Sequence, residues 1–492
     1  MPEVAQQPIN PEPVQPQETA KPTETVAEEP QPEQPPEQDS ETLSRQAEQE
    51  IQEQIESADD MRIVLSIIRQ NLTDESFLPL VAKAMTEKYG NGAPSLETLK
   101  EVSGLMQCLE SSISESDLQK LAEMEKDPKF EGAMDKKNLI IDGLCLPVLK
   151  GHLTAEDVAS VVGRIALMDS QPTQGEIRAS SGYEGVMYYD QENNAVLINP
   201  AVLAKKYQDK KGKFAELDIE HMAVHELSHG VAGKTVLANE SWEKLDQELS
   251  SPNPEFSSGM IKQVRAIIES AEEMKGSQSI HIRNVLEAIK NIDRDYAKLS
   301  PEQKQHSGTA EEFHNRRLAQ AAVEIITEYT ALYLESDGSF KDFARNCLIK
   351  TGKKGLEQFL ASSLNISAGS EEEKPALVQK KLKSIMAGLS SGSETISTIL
   401  EQNPSLKRYF YCYKVFYDNI SPAVQEGKGS LSEEGDDEFD FEDYDGYYDS
   451  AGGFEQQEKG GRADKTSNGV MALIGAFADE VEVTKPITGS AV

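Results

Sequence analysis

Residues 218–231 run Asp218-Ile-Glu-His-Met-Ala-Val-His-Glu-Leu-Ser-His-Gly-Val. Val224, Leu227 and Val231 recur at helical spacing, which predicts a helix over 217–232 with those three side chains in a core. A different face then carries His221, His225 and His229, each one turn from the next. Within it, His225-Glu-Leu-Ser-His has the form H-E-x-x-H. In a chain with seven histidines this pattern arises by chance roughly once in a hundred, so it is read as a motif.

The spacing has a chemical reason. Imidazoles at i and i+4 lie on one helix face and reach a single zinc ion, for which Zn–N is about 2.0–2.1 Å. Glu226 follows the first histidine and points to the adjacent face. From there its carboxylate can accept the proton of a water that the metal has acidified, as that water attacks a carbonyl. A third ligand from the same helix would lie too far along the axis, so His221 is expected to orient another ligand or to be structural.

In its motif, the helix that carries it and a short hairpin before it, the chain resembles the zincin metallopeptidases over about residues 180–420. The metzincin branch wants Gly and His where Ala232 and Thr235 stand, and no histidine follows His229 before His281, so that branch is excluded. The gluzincin branch takes a Glu from a later helix, often with a second acid one turn on. Arg317-Leu-Ala-Gln-Ala-Ala-Val-Glu-Ile-Ile-Thr-Glu-Tyr has that form. The resemblance therefore implies Zn2+ held by His225, His229 and Glu324, with Glu328 orienting a ligand histidine and Glu226 as general base. It further implies zinc-dependent hydrolysis of peptide bonds in a protein or peptide substrate, the peptide lying along an edge strand above the motif helix. Ala195–Ile198 reads as that edge or as an internal strand.

Glu324 has an argument of its own. It sits among Ala321, Ala322, Val323, Ile325 and Ile326, on a helix that repeats the charge at Glu328. Like charges at i and i+4 destabilise a helix, and a buried carboxylate needs a partner. Two alternatives for the third ligand stay open: Glu328 itself, and Glu248, whose spacing suits shorter-linked gluzincins. Glu324 lies 95 residues beyond His229, which makes the charged helices of 255–300 an insertion. His281 would make a three-histidine site, but in Ser-Ile-His-Ile-Arg it reads rather as a partly buried structural histidine. Tyr329, Tyr333 and the aromatic run after Arg408 read as core packing or as a donor to an oxyanion.

The expected fold class is α+β and predominantly helical, with a zincin-like catalytic domain around a small sheet. Residues 1–56 are a Pro/Glu/Gln-rich tail, with ten of the 23 prolines in the first 36 residues and little apolar to bury. Residues 57–175 form a helical N-terminal domain; apolar spacing predicts helices over Leu78 to Met85, Leu96 to Leu109, Leu118 to Met124 and Ala155 to Met168. Residues 176–425 hold the motif. Val186-Met-Tyr-Tyr and Ala195-Val-Leu-Ile flank the turn Asp190-Gln-Glu-Asn-Asn as a hairpin, and Asn199-Pro200 opens a helix. Helices follow over Met260 to Met274, Ile280 to Ala297 and Thr309 to Glu335, and others to about Tyr417. Residues 426–492 form an acidic tail.

Composition narrows the partners. The chain has 492 residues and a net charge of −36. Residues 1–60 carry 16 acids against 2 bases, and residues 433–449 carry 10 acids and no base, so the acidity belongs mainly to the tails. Such a balance argues against nucleic acid and against anionic membrane. Cys108, Cys145, Cys347 and Cys412 are far apart with no C-x-x-C pair, so they are expected to be reduced thiols. The first residues lack the basic and apolar regions of a signal peptide, and the apolar run Val470 to Phe477 is far short of the roughly 20 residues needed to span a bilayer. The expected compartment is the cytoplasm. The alternative to an enzyme is a non-catalytic zinc-binding or acidic protein-interaction scaffold; the sequence does not indicate an oligomeric state.

Overall fold

The structure, a computed structural model, describes residues 40–168, 187–237, 258–273, 279–350 and 404–427, apart from 59, 192, 206, 209–213 and 216, with scattered positions between 361 and 402. Contacts divide the chain into residues 1–47 and residues 48–492, and the core, the sheet and the motif helix all belong to the second unit. The proposed ligand Glu248 and the acidic stretch 433–449 lie outside the described residues.

Seven helices come first: α1 (Ser40–Ser57), α2 (Ile63–Gln70), α3 (Leu78–Tyr89), α4 (Leu96–Ser112), α5 (Glu115–Glu125), α6 (Ala133–Leu149) and α7 (Ala155–Val161). Their starts are written locally. Ser95 and Ser114 accept from backbone N–H groups one turn on, and Thr154 and Asp157 form a reciprocal capping box. The tail expected to reach residue 56 gives way to helix at Ser40, because Ile51 and Ile55 find a core. Lys88 closes the end of that helix by donating to the carbonyls of Ile55 (2.6 Å) and Ala58. Helix α6 does not announce itself by periodicity: its residues 140–149 are all buried, so no polar stripe marks a face.

Three short strands follow: β1 (Arg164–Leu167), β2 (Met187–Asp190) and β3 (Ala195–Ile198). They form one sheet in the order β1-β3-β2, with β1 parallel and β2 antiparallel to β3. One expectation changes here, and one open alternative is resolved. The helix expected to run to Met168 ends at Val161, because the apolar run 165–167 is pairing with β3; so short a run does not show its period. Among the described residues, Ala195–Ile198 is the internal strand and β2 an edge. A small antiparallel ribbon, β4 (Tyr207–Gln208) and β5 (Phe214–Ala215), follows the turn that Asn199 caps.

Among the described residues, the remaining helices are α8 (Ile219–Lys234), α9 (Ser258–Glu273), α10 (Ile280–Ile289), α11 (Ile292–Lys298), α12 (Pro301–Ser307), α13 (Ala310–Leu334), α14 (Phe340–Ile349) and α15 (Pro404–Gly427). The helix expected over Ile280 to Ala297 breaks at Asn291, a residue that competes with helix by local side-chain bonding and here leaves the helical conformation. The molecule is thus predominantly helical with a small three-stranded sheet. Helix α8 packs between α6 and α13, with β2 and β3 along its flank. A continuous apolar core runs from Ile51 to Val424, so the helices before residue 175 share it with the motif helix.

Two glycines let α8 sit so close to its neighbours. A Cβ at Gly143 of α6 would overlap the Glu220 carbonyl oxygen and lie 2.9 Å from Ala223 Cβ. A Cβ at Gly230 would overlap Val161 and lie 2.9 Å from the Tyr189 hydroxyl. Cys145 and Cys347 are buried free thiols and Cys108 an exposed one. Among the described residues, no helix is long and apolar enough to cross a membrane.

Candidate metal centre

Helix α8 begins at Asp218, whose carboxylate accepts from the His221 N–H at 3.1 Å. Two acids at its start suit the positive end of the helix dipole. Both are also tethered: Asp218 pairs with Lys350, and Glu220 pairs with Arg62 at 2.7 Å. These anchors set the rotation of α8, so that His221, His225 and His229 all face α13.

The two helices run antiparallel, and their polar residues interlock as a ladder. His229 meets Thr327 and Glu324, His225 meets Glu324 and Glu328, and His221 meets Glu328 and Glu335. The Nδ1–H of His225 donates to Glu328 Oε2 at 2.8 Å, and its Nε2 lies 3.5 Å from Glu324 Oε2. His229 Nδ1 lies 3.3 Å from the Thr327 hydroxyl, and its Nε2 lies 3.9 Å from Glu324 Oε1. The two rings stand edge to face at 86°. Both histidines therefore commit Nδ1 to α13 and turn Nε2 towards opposite oxygens of one carboxylate. The histidine of a metal site commonly has its other nitrogen held in this way. The side chains of His229 and Glu324 are 22% and 15% exposed, whereas Glu328 is fully buried, so the group is reached from the His229–Glu324 side.

The donor atoms of His225, His229 and Glu324 lie within 4.8 Å of one another. Two imidazoles and one carboxylate are the donor set of a catalytic zinc site, in which neighbouring ligands around a tetrahedral ion are about 3.3 Å apart. Separations of 3.5 and 3.9 Å come close to that span without rearrangement of the helices. These three residues could together hold a metal ion.

Charge accumulates here in alternation. Burial alone would lower the His221 and His225 pKa values. Glu335 and Glu328 overcome this at His221 and raise it to about 9; Glu324 and Glu328 raise His225 to about 10. Burial alone would raise Glu324, yet His229 and the bonds from His225 and His281 hold it well below the usual carboxylate range. Glu328 is held down in the same way by His221 and His225. His229 goes the other way: burial lowers it to about 4, so it is a neutral imidazole at pH 7. His225 thus holds a proton between two carboxylates, which a metal ion bound there would have to displace.

Glu226 points to the sheet. The backbone N–H of Tyr189 on edge strand β2 donates to its carboxylate, and burial raises its pKa to about 7. A carboxyl poised near neutrality is suited to take and return a proton.

The structure brings together three of the residues singled out from sequence, His225, His229 and Glu324, with Glu226 within electrostatic reach of His225 and Glu324. Glu328 touches His225 from behind, through Nδ1, and His221 lies one step further back between Glu328 and Glu335. Tyr329 and Tyr333 are buried in an aromatic cluster, Tyr329 stacked at 3.9 Å on Phe416. Sequence reasoning missed Thr327, Glu335 and Tyr189. The first two carry a readable signal: Thr327, three residues after Glu324, and Glu335, seven after Glu328, continue one helix face opposite the histidine stripe. His281 stands at the first turn of α10 with Nε2 3.0 Å from Glu324 Oε2, a place its local sequence does not reveal. No protein-family model, no curated protein and no solved structure matches this chain.

Proposed function

We propose that this protein is a zinc-dependent metallopeptidase of gluzincin type, with His225, His229 and Glu324 as the ligands and Glu226 as general base. The observation that carries the reading is the shared orientation of the two motif histidines, Nδ1 tied to α13 and Nε2 aimed at Glu324. When bound, zinc supplies a Lewis acid that polarises a carbonyl and acidifies water. The remaining chemistry belongs to the chain. Glu226, with its pKa near 7, accepts the proton of the attacking water and passes it to the leaving amine. Glu328 keeps His225 oriented from Nδ1, as Thr327 does His229. Edge strand β2 lies beside Glu226, where an extended peptide adds as a further strand.

The test has two parts. Metal content by elemental analysis is expected to be one zinc per chain, lost in His225→Ala and Glu324→Ala. Hydrolysis of a denatured protein substrate by the zinc-loaded chain is expected to drop about 10²–10⁴-fold in Glu226→Gln while the metal stays bound. A folded wild type without zinc affinity ends the reading. Zinc binding without hydrolysis by the wild type leaves the non-catalytic zinc protein as the correct description.

A further inference from the structure

We infer that His281 is a positioning residue of the metal centre, acting on the ion through the Glu324 carboxylate; this rests on the ligand assignment above. Helix α10 approaches α13 with Ile282 and Val285 in the core. Among its described side chains, His281 is the polar one that is buried, at 1% exposure. A buried imidazole costs stability unless it is partnered. Its Nε2 lies 3.0 Å from Glu324 Oε2, so the ring N–H donates to that oxygen. The ring also stands edge to face with His225, centroids 4.6 Å apart. Ser279, itself buried, caps α10 through the Ile282 N–H at 3.2 Å and fixes the turn on which His281 sits.

Glu324 stands at the open side of the site, its side chain 15% exposed. The His281 bond holds Oε2 and so decides which lone pairs face Nε2 of His225 and of His229. His281 also joins His225 and Glu328 in a second, buried group of possible donor atoms within 4.8 Å of one another, so the experiment has to separate positioning from ligation. The segment read from sequence as an insertion thereby supplies part of the centre. Such outer partners change metal affinity by about 10–100-fold, whereas losing a direct ligand costs far more.

The experiment compares three variants of the full chain, His281→Leu, His281→Gln and His229→Ala, by Zn2+ affinity against a competing chelator and by the absorption spectrum of the Co2+ form. His281→Leu is expected to lose about 10–100-fold in Zn2+ affinity, with an altered Co2+ spectrum as Glu324 reorients. His281→Gln keeps an N–H donor, and is expected to stay within a few-fold of wild type with its spectrum preserved. If both His281 variants fall as far as His229→Ala, His281 is a ligand and the inference is wrong. If His281→Leu binds as wild type does, the residue only fills space and the inference is again wrong. His281→Met replaces the leucine variant if the latter does not fold. Failure of the ligand assignment itself shows separately, as wild type without Zn2+ affinity or His229→Ala with undiminished affinity.

Discussion

Helix α8 has two buried faces of opposite character. Towards α6 it makes close apolar contact, with Gly143 against the Glu220 carbonyl and Ala223. Towards α13 it presents three histidines to three glutamates and a threonine. The first face is held by dispersion and exclusion of water, which have no direction and tolerate no extra volume. The second is held by charged hydrogen bonds, which are directional and cost desolvation unless every partner is present. Burial alone would have been satisfied more cheaply by leucines. A largely buried row of charged and imidazole groups is therefore the part of the interface to read as function.

The comparison is broken most strongly at Glu328. Glu328→Ala leaves His221 and His225 without their shared carboxylate, and metal-free stability in urea at pH 7 is expected to fall by about 3–5 kcal/mol. A loss under about 1 kcal/mol would mean that the histidines shed their protons at no cost and that the ladder is not coupled.

The pH dependence comes next and separates the two faces without mutation. His221 and His225 titrate at about 9 and about 10 in the folded chain, against about 6.5 when unfolded. The folded state then keeps protons that the unfolded state has released. That stabilisation is complete below pH 6.5 and is lost as pH rises through 9 to 10. Metal-free stability should fall on the order of 3 kcal/mol between pH 7 and 9. Saturating zinc should reverse the trend, its stabilising effect growing from pH 6 to 8, because ligation requires neutral His225. A zinc effect independent of pH would show that the ion binds elsewhere.

The apolar face is probed by Gly143→Ala. Helix propensity favours alanine by about 1 kcal/mol, but overlap with the Glu220 carbonyl outweighs it, and a net loss of about 2 kcal/mol is expected. Zinc affinity measured after correction for folding should be unchanged, since this side of α8 carries no ligand. Gly230→Ala is expected to cost a similar amount, about 2 kcal/mol, because its methyl group would overlap Val161, a fully buried β-branched side chain that is stiff at χ1, and press on the Tyr189 ring. As Tyr189 donates its N–H to Glu226, this variant should also lower hydrolysis more than it lowers zinc content.

Much of this arrangement was legible in the residues themselves. The histidine spacing, the capping serines and threonines, the hairpin around Asp190–Asn194 and the acid pair Glu324/Glu328 all act within one or two turns of chain, and local pattern records local physics. The features that stayed hidden obey the same logic. Helix α6 is buried on all sides and so shows no stripe, β1 is too short to show a period, and β3 is an internal strand only because β1 arrives from outside the hairpin.

By itself the sequence determined which side chains can act: two imidazoles one turn apart with a carboxylate between them, and a second pair of carboxylates on a helix of matching period. The tertiary structure alone decided their roles. The antiparallel docking of α13 on α8 sets Glu324 against Nε2 and Glu328 against Nδ1 of the same ring, where the sequence had kept Glu328 open as an alternative to Glu324. It also brings His281 to Glu324 across 43 residues, and Tyr189 to Glu226 from the sheet edge. Contacts between distant segments depend on how whole elements pack, and one helix carries no local trace of which neighbour will cover its polar face.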